Sequence, residues 1–221
     1  MNRRRWIRNL GAGLLAQYLN SLHAAWAAGK NPLPPGIHRL SGDVRLNGET
    51  AREGMQVKPG DSIATGKDSE VIYIIGQDAF LQREQSLVSI GGDALKNVLR
   101  LVSGKLMSVF SKGEKQIQTG TATIGIRGTG CYLETGPERD YFCLCYGKAE
   151  IASARHPEKS ELIETRHHDH PVYIYPNGEK MMVPATVINH SDSELILLES
   201  LLGRVPPFYG YGSSYDKAEK N

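Results

Sequence analysis

The chain has 221 residues, 40% hydrophobic and 23% charged, with 24 glycines and 11 prolines, enough to bury one sizeable core. Beyond the N-terminal region no apolar run is long enough to span a bilayer as a helix, which excludes an integral helical bundle. The formal charge of +2 is concentrated in Arg3, Arg4, Arg5 and Arg8; without residues 1–27 the chain carries 22 basic and 24 acidic groups, a net −2 that argues against a nucleic-acid partner.

Residues 1–27 combine a basic head, a modest apolar stretch from Leu10 to Leu22 and small residues around Ala24 to Ala28, the layout of a secretory leader. Arg3-Arg4-Arg5-Trp6-Ile7-Arg8 resembles the twin-arginine pattern, with Arg3 and Arg4 as the recognised pair. A cut after Ala27 would leave a periplasmic protein with no membrane span. Residues 28–36 form a proline-rich lead-in that cannot start a helix.

From Ile37 to about Ser153 short alternating or apolar runs are divided by glycine-containing turns, and the spacing predicts an all-β unit. The expected strands are Val44 to Leu46, Ser62 to Ala64, Glu70 to Ile75, Ala79 to Gln82, Ser86 to Ile90, Val98 to Leu101, Lys105 to Phe110, Lys115 to Gln118, Ala122 to Ile126, Cys131 to Glu134, Tyr141 to Tyr146 and Lys148 to Ala152. Turn chemistry agrees at Asn47-Gly48, Pro59-Gly60-Asp61, Gly91-Gly92-Asp93 and Ser103-Gly104. Residues 154–207 read as an extension, with strands at Val172 to Tyr175, Lys180 to Val183 and Ala185 to Ile188 around a turn at Pro176-Asn177-Gly178. Ser191-Asp192-Ser193-Glu194 fits a capping box, and the leucines that follow predict one short helix near 192–202. Residues 208–221, rich in Gly, Tyr, Ser and charge, read as a mobile tail.

Segments of the β region carry a family resemblance: Gly42 to Gly48, Val57 to Gly66, Leu101 to Leu106, Thr119 to Gly130 and Tyr146 to Ile151. Within them Ala122-Thr123-Ile124-Gly125-Ile126-Arg127-Gly128-Thr129 resembles the A-x-x-x-x-R-G-T segment of the FecR domain, known from periplasmic proteins of iron-citrate signalling. The resemblance covers residues 37–153 and implies a β-helix-like or roll-like stack of short strands. Sigma-regulating members look as if they carry a cytoplasmic anti-sigma segment, a transmembrane helix and a receptor-interacting domain, and no segment of this chain fits those parts. Arg127 invites a carboxylate-binding role, but the stronger expectation is structural: Arg127 paired with a buried acid or backbone carbonyls, Gly128 at a bend, Thr129 beside them.

Three cysteines in an exported chain suggest a disulfide with one leftover thiol, three reduced buried thiols, or a metal or redox centre. Cys143 and Cys145 fall two apart on one strand and share a face; Cys131, on the preceding strand, falls opposite Cys143, Leu144 or Cys145 according to register. His167, His168 and His170 follow, with Asp169 placed to orient a ring. Three thiolates and one imidazole would make a four-coordinate site suited to zinc, copper or iron. His190, just before the helix, reads as a capping or solvent-exposed residue.

No nucleophile elbow, phosphate loop, dinucleotide fingerprint, His-Glu-x-x-His or haem-attachment motif occurs. The sequence therefore predicts a non-catalytic exported module that binds a small ligand or an envelope protein, or scaffolds an assembly. The alternative is a metal-binding or thiol-redox protein centred on the cysteines and histidines.

Overall fold

The computed structural model describes residues 31–91, 98–176 and 181–209. The leader with Arg3 and Arg4, Gly92-Asp93, Asn177-Gly178 and the tail after Tyr209 lie outside the described residues. In chain order the strands are β1 (Gly36–Ser41), β2 (Val44–Leu46), β3 (Glu49–Thr50), β4 (Ser62–Thr65) and β5 (Glu70–Ile75). Then come β6 (Asp78–Gln82), β7 (Leu87–Ile90), β8 (Val98–Val109), β9 (Lys115–Gln118) and β10 (Ala122–Ile126). The remainder are β11 (Gly130–Thr135), β12 (Asp140–Ser153), β13 (Ser160–Thr165), β14 (Val172–Ile174) and β15 (Met182–Pro184), followed by the helix α1 (Asp192–Leu201).

Two sheets share two long strands. Sheet A runs β1-β5-β6-β8-β11-β12-β14-β15, with every pairing antiparallel. Sheet B runs β3-β2-β4-β7-β8-β9-β10-β12-β13, parallel only between β8 and β9. Of the two forms that the resemblance implied, the strands therefore take the roll-like one, since a β-helix stacks parallel rungs.

Where the sequence predicts two strands on either side of Gly104 and two on either side of Gly147, the chain runs through. Each glycine is a corner at which the strand leaves one sheet for the other. At Gly104 φ is +88° and a Cβ would lie 2.1 Å from Ser86 Oγ; at Gly147 φ is +99° and a Cβ would lie 2.9 Å from the Gly128 carbonyl. Only glycine meets both demands.

The main core lies between the sheets, where Val88, Leu101, Ile117, Ile124 and Ile151 of sheet B meet Tyr73, Phe80, Leu133, Phe142 and Leu144 of sheet A. A second core covers the outer face of sheet A: Leu195, Leu198, Leu201 and Leu202 pack with Ile72, Leu81, Met107, Tyr132 and Tyr146. With both faces covered, residues 140–146 of β12 are all buried, whereas residues 148–152, on sheet B, alternate between solvent and core.

The capping box predicted at Ser191 forms, the Glu194 carboxylate accepting the Ser191 backbone N–H at 2.9 Å. Glu194 also pairs with Arg83 at 2.5 Å, and the buried Glu199 accepts from the Tyr146 hydroxyl and from Arg204 Nε, tying α1 to sheet A. The lead-in is anchored too, Leu33 N–H donating to the Leu201 carbonyl at 2.8 Å. Several expectations change. Residues 36–41, 49–50 and 160–165 add unpredicted strands; Ala185 to Ile188 is not a strand; and Phe208, assigned to a mobile tail, is buried and stacks on His167 with centroids 4.3 Å apart. Among the described residues no helix is long and apolar enough to cross a membrane.

Candidate functional site

The register of β11 against β12 sorts the cysteines. Cys131 stands opposite Leu144, after an irregularity between Gly130 and Cys131, and Tyr132 stands opposite Cys143. Cross-strand partners share a face. Cys131 therefore joins the inter-sheet core, while Cys143 and Cys145 face the outer core. All three are free and buried. The expected grouping of three sulfurs is thus divided by the sheet, and Cys131 leaves the set.

Two histidines of the extension reach the Cys143 face. The His168 N–H donates to the Cys145 carbonyl at 3.0 Å, which pins the segment after β13 onto β12, and His168 adopts φ +50°. The segment bends there, so His167 and His168 both turn toward Asp192, instead of alternating as extended residues would. His190 enters from the other end of the extension, just before α1. Its ring stacks on Tyr132 with centroids 4.6 Å apart. The expected capping or exposed role is overturned: His190 is 5% exposed. His170 points to solvent and joins neither group.

Four buried residues, Cys143, Cys145, His168 and His190, each bring one donor atom within 4.8 Å of the others, a group that can hold a metal ion. Cys143 Sγ lies 3.3 Å from His168 Nδ1, and His190 Nε2 lies 3.2 Å from the same nitrogen. Asp192, at the start of α1, stands 3.0 Å from His168 Nε2 and 2.9 Å from His167 Nε2. No local spacing announces His190. It lies 45 residues after Cys145, and only the docking of α1 brings it in.

The electrostatics follow from these contacts. Hydrogen bonding from Cys145, then from His168 and His190, holds the Cys143 thiol well below its usual range, against the effect of burial. Burial, reinforced by Cys143, pushes Cys145 up. Burial opposes charge on His168, but Asp192 and Cys143 outweigh it and raise the imidazole to about 9. Burial also works against the Asp192 carboxylate, and His168 and His167 nonetheless hold it below the ordinary aspartate range. Cys131 is pushed up by burial.

The segment Ala122 to Thr129 lies elsewhere, on β10 of sheet B and the turn after it, with Ala122, Ile124 and Ile126 in the inter-sheet core. Gly128 makes the expected bend with φ +64°, and Thr129 is fully buried. Arg127 departs from expectation: it is exposed, and among the described residues no carboxylate pairs with its guanidinium. It stands beside an open groove of about 730 Å³, with Gly125, Gln116, Lys148, Glu150 and Leu162 also lining it. Gly125 has no positive φ, and a Cβ there would meet nothing closer than 3.7 Å.

No family model matches the chain, and no curated protein matches it. Two crystal structures named as those of a "putative anti-sigma factor" from Parabacteroides distasonis ATCC 8503 are similar to it at 10% identity and a TM-score of 0.47. In each the match covers 57% of this chain and 60% of the other, so this chain spans less than two thirds of that protein.

Proposed function

We propose that the chain is an exported, non-catalytic FecR-like module that binds a small ligand or an envelope partner in the groove over Gly125. The observation that carries this reading is the bare backbone at Gly125. Glycine inside a strand costs about 0.5–1 kcal/mol relative to alanine. Neither its backbone angles nor its neighbours require it, so the open floor is what the residue supplies, and close approach of a ligand is a reason for glycine in a strand. The exposed guanidinium of Arg127 at the rim suits a carboxylate on that ligand.

A photo-crosslinking residue at Leu162 in exporting cells tests the reading. A discrete adduct that disappears in both Gly125→Leu and Arg127→Ala is expected; no adduct, or one indifferent to both changes, overturns it. Export is tested separately by fractionating a variant with Arg3→Lys and Arg4→Lys, which should remain uncleaved in the cytoplasm.

A second reading, metal binding at the Cys/His group, is favoured by the convergence of four buried donors.

A further inference from the structure

The tautomers of two histidines carry an inference that does not depend on the groove. A ligating imidazole uses the lone pair of one nitrogen and gives the other N–H to a carboxylate or carbonyl. His190 Nδ1 lies 2.6 Å from the Ile188 carbonyl oxygen, which can only accept, so that nitrogen carries the hydrogen and Nε2 presents a lone pair. Asp192 in the same way takes the Nε2–H of His168 at 3.0 Å and leaves Nδ1 to face inward. The two inward nitrogens stand 3.2 Å apart with Cys143 Sγ 3.3 Å from one of them. These three atoms converge on one point, where a proton on His168 Nδ1 or a bound cation in its place can be shared.

The spacing fits the edges of a coordination tetrahedron. Metal–nitrogen bonds of about 2.0–2.1 Å and metal–sulfur bonds of about 2.3 Å give edges of about 3.3 Å between nitrogens and about 3.6 Å between nitrogen and sulfur. We propose that Cys143, Cys145, His168 and His190 bind one divalent ion of the zinc class in a closed, four-coordinate site. Two thiolates and a divalent ion sum to zero charge, the state that burial favours, whereas copper(I) would leave a net negative charge in the apolar face of sheet A. On binding, the two protons that the four ligands hold between them are released to solvent.

The left-handed backbone of His168 serves the same end. A non-glycine residue at φ +50° is sparsely populated, and here it turns the ring back over β12. The four ligands come from β12 and from both ends of residues 166–191, so the ion ties the extension to the sheet. Asp192 orients His168 without touching the ion. Cys131, on the opposite face, His167, turned to Asp192, and exposed His170 are not ligands.

The full chain, produced with zinc in the medium and purified without chelators, tests this by elemental analysis and by the spectrum of its cobalt(II) form. About one zinc per chain is expected, with a thiolate-to-cobalt band and the intense visible bands of tetrahedral cobalt. Cys143→Ser and His190→Gln should lose the ion, Cys131→Ser and His170→Gln should keep it, and Asp192→Asn should keep it with affinity about 10–100-fold weaker. Folded wild-type protein without metal and with all thiols free, a weak octahedral cobalt spectrum, stoichiometric copper(I) in place of zinc, or zinc retained in Cys143→Ser overturns the proposal. The cobalt spectrum decides even if a ligand variant fails to fold.

Discussion

The two faces of sheet A use the same strand pair for opposite purposes. On the inner face, Cys131 sits with Leu133, Phe142 and Leu144 among aliphatic and aromatic neighbours, and its sulfur is one more apolar atom. One residue along, Cys143 and Cys145 meet two imidazoles and, through them, a carboxylate. A thiol's chemistry is thus decided by the face on which it emerges and by what the rest of the chain lays against that face. A one-residue slip of β12 would turn Cys143 and Cys145 onto the inner face beside Cys131.

The largest effect should come from breaking the inner face. Phe142→Ala, at a fully buried site, should cost about 3–5 kcal/mol by denaturant unfolding, and a loss below about 1 kcal/mol would mean that the inter-sheet core is misplaced. Next comes the corner that carries β12 between the sheets. Gly147→Ala should destabilise by about 1–3 kcal/mol from backbone strain alone. Its control is Gly125→Ala, where there is room for a methyl, and the same melting experiment should show no loss or a small gain.

Cys131→Ser sharpens the contrast between thiols. It buries a hydroxyl among apolar groups and should cost about 1–3 kcal/mol, while alkylation of Cys143 and Cys145 in the native protein stays as in the wild type. Altered reactivity of those two would mean that the faces communicate.

Asp140, at the sheet A end of β12, provides the smallest effect. It is fully buried and accepts hydrogen bonds from Thr119 and Thr135 at 2.6 Å each, yet burial outweighs them and raises its pKa. Because the folded value lies above the unfolded one, its contribution to stability is complete below about pH 3.9 and is lost as the pH rises through the folded value. Unfolding free energies measured across that range should show this loss in the wild type, and Asp140→Asn should remove it.

Much of this architecture was legible in local sequence. Glu70–Ile75, Lys115–Gln118 and Ala122–Ile126 form strands with the bounds that their patterning predicts, because alternation and turn chemistry are properties of neighbouring residues. In β12 the unbroken apolar run up to Tyr146 and the alternation after Gly147 mark a strand first buried on both faces and then on one. The capping box at Ser191 is equally local. Less legible was β13, whose exposed Ser160, Glu161 and Leu162 blur any period of two at a sheet edge.

The site divides along the same line. That Cys143 and Cys145 share a face follows from the two-residue period of a strand, and the sequence alone determined it, together with the fold class and the helix. Which cysteine they exclude, which histidines they meet and why Arg127 is exposed were decided only by tertiary structure. Register, the left-handed turn at His168 and the docking of α1 join residues as far apart as Arg83 and Glu194, 111 positions, and side-chain spacing along the chain carries no record of contacts made by packing.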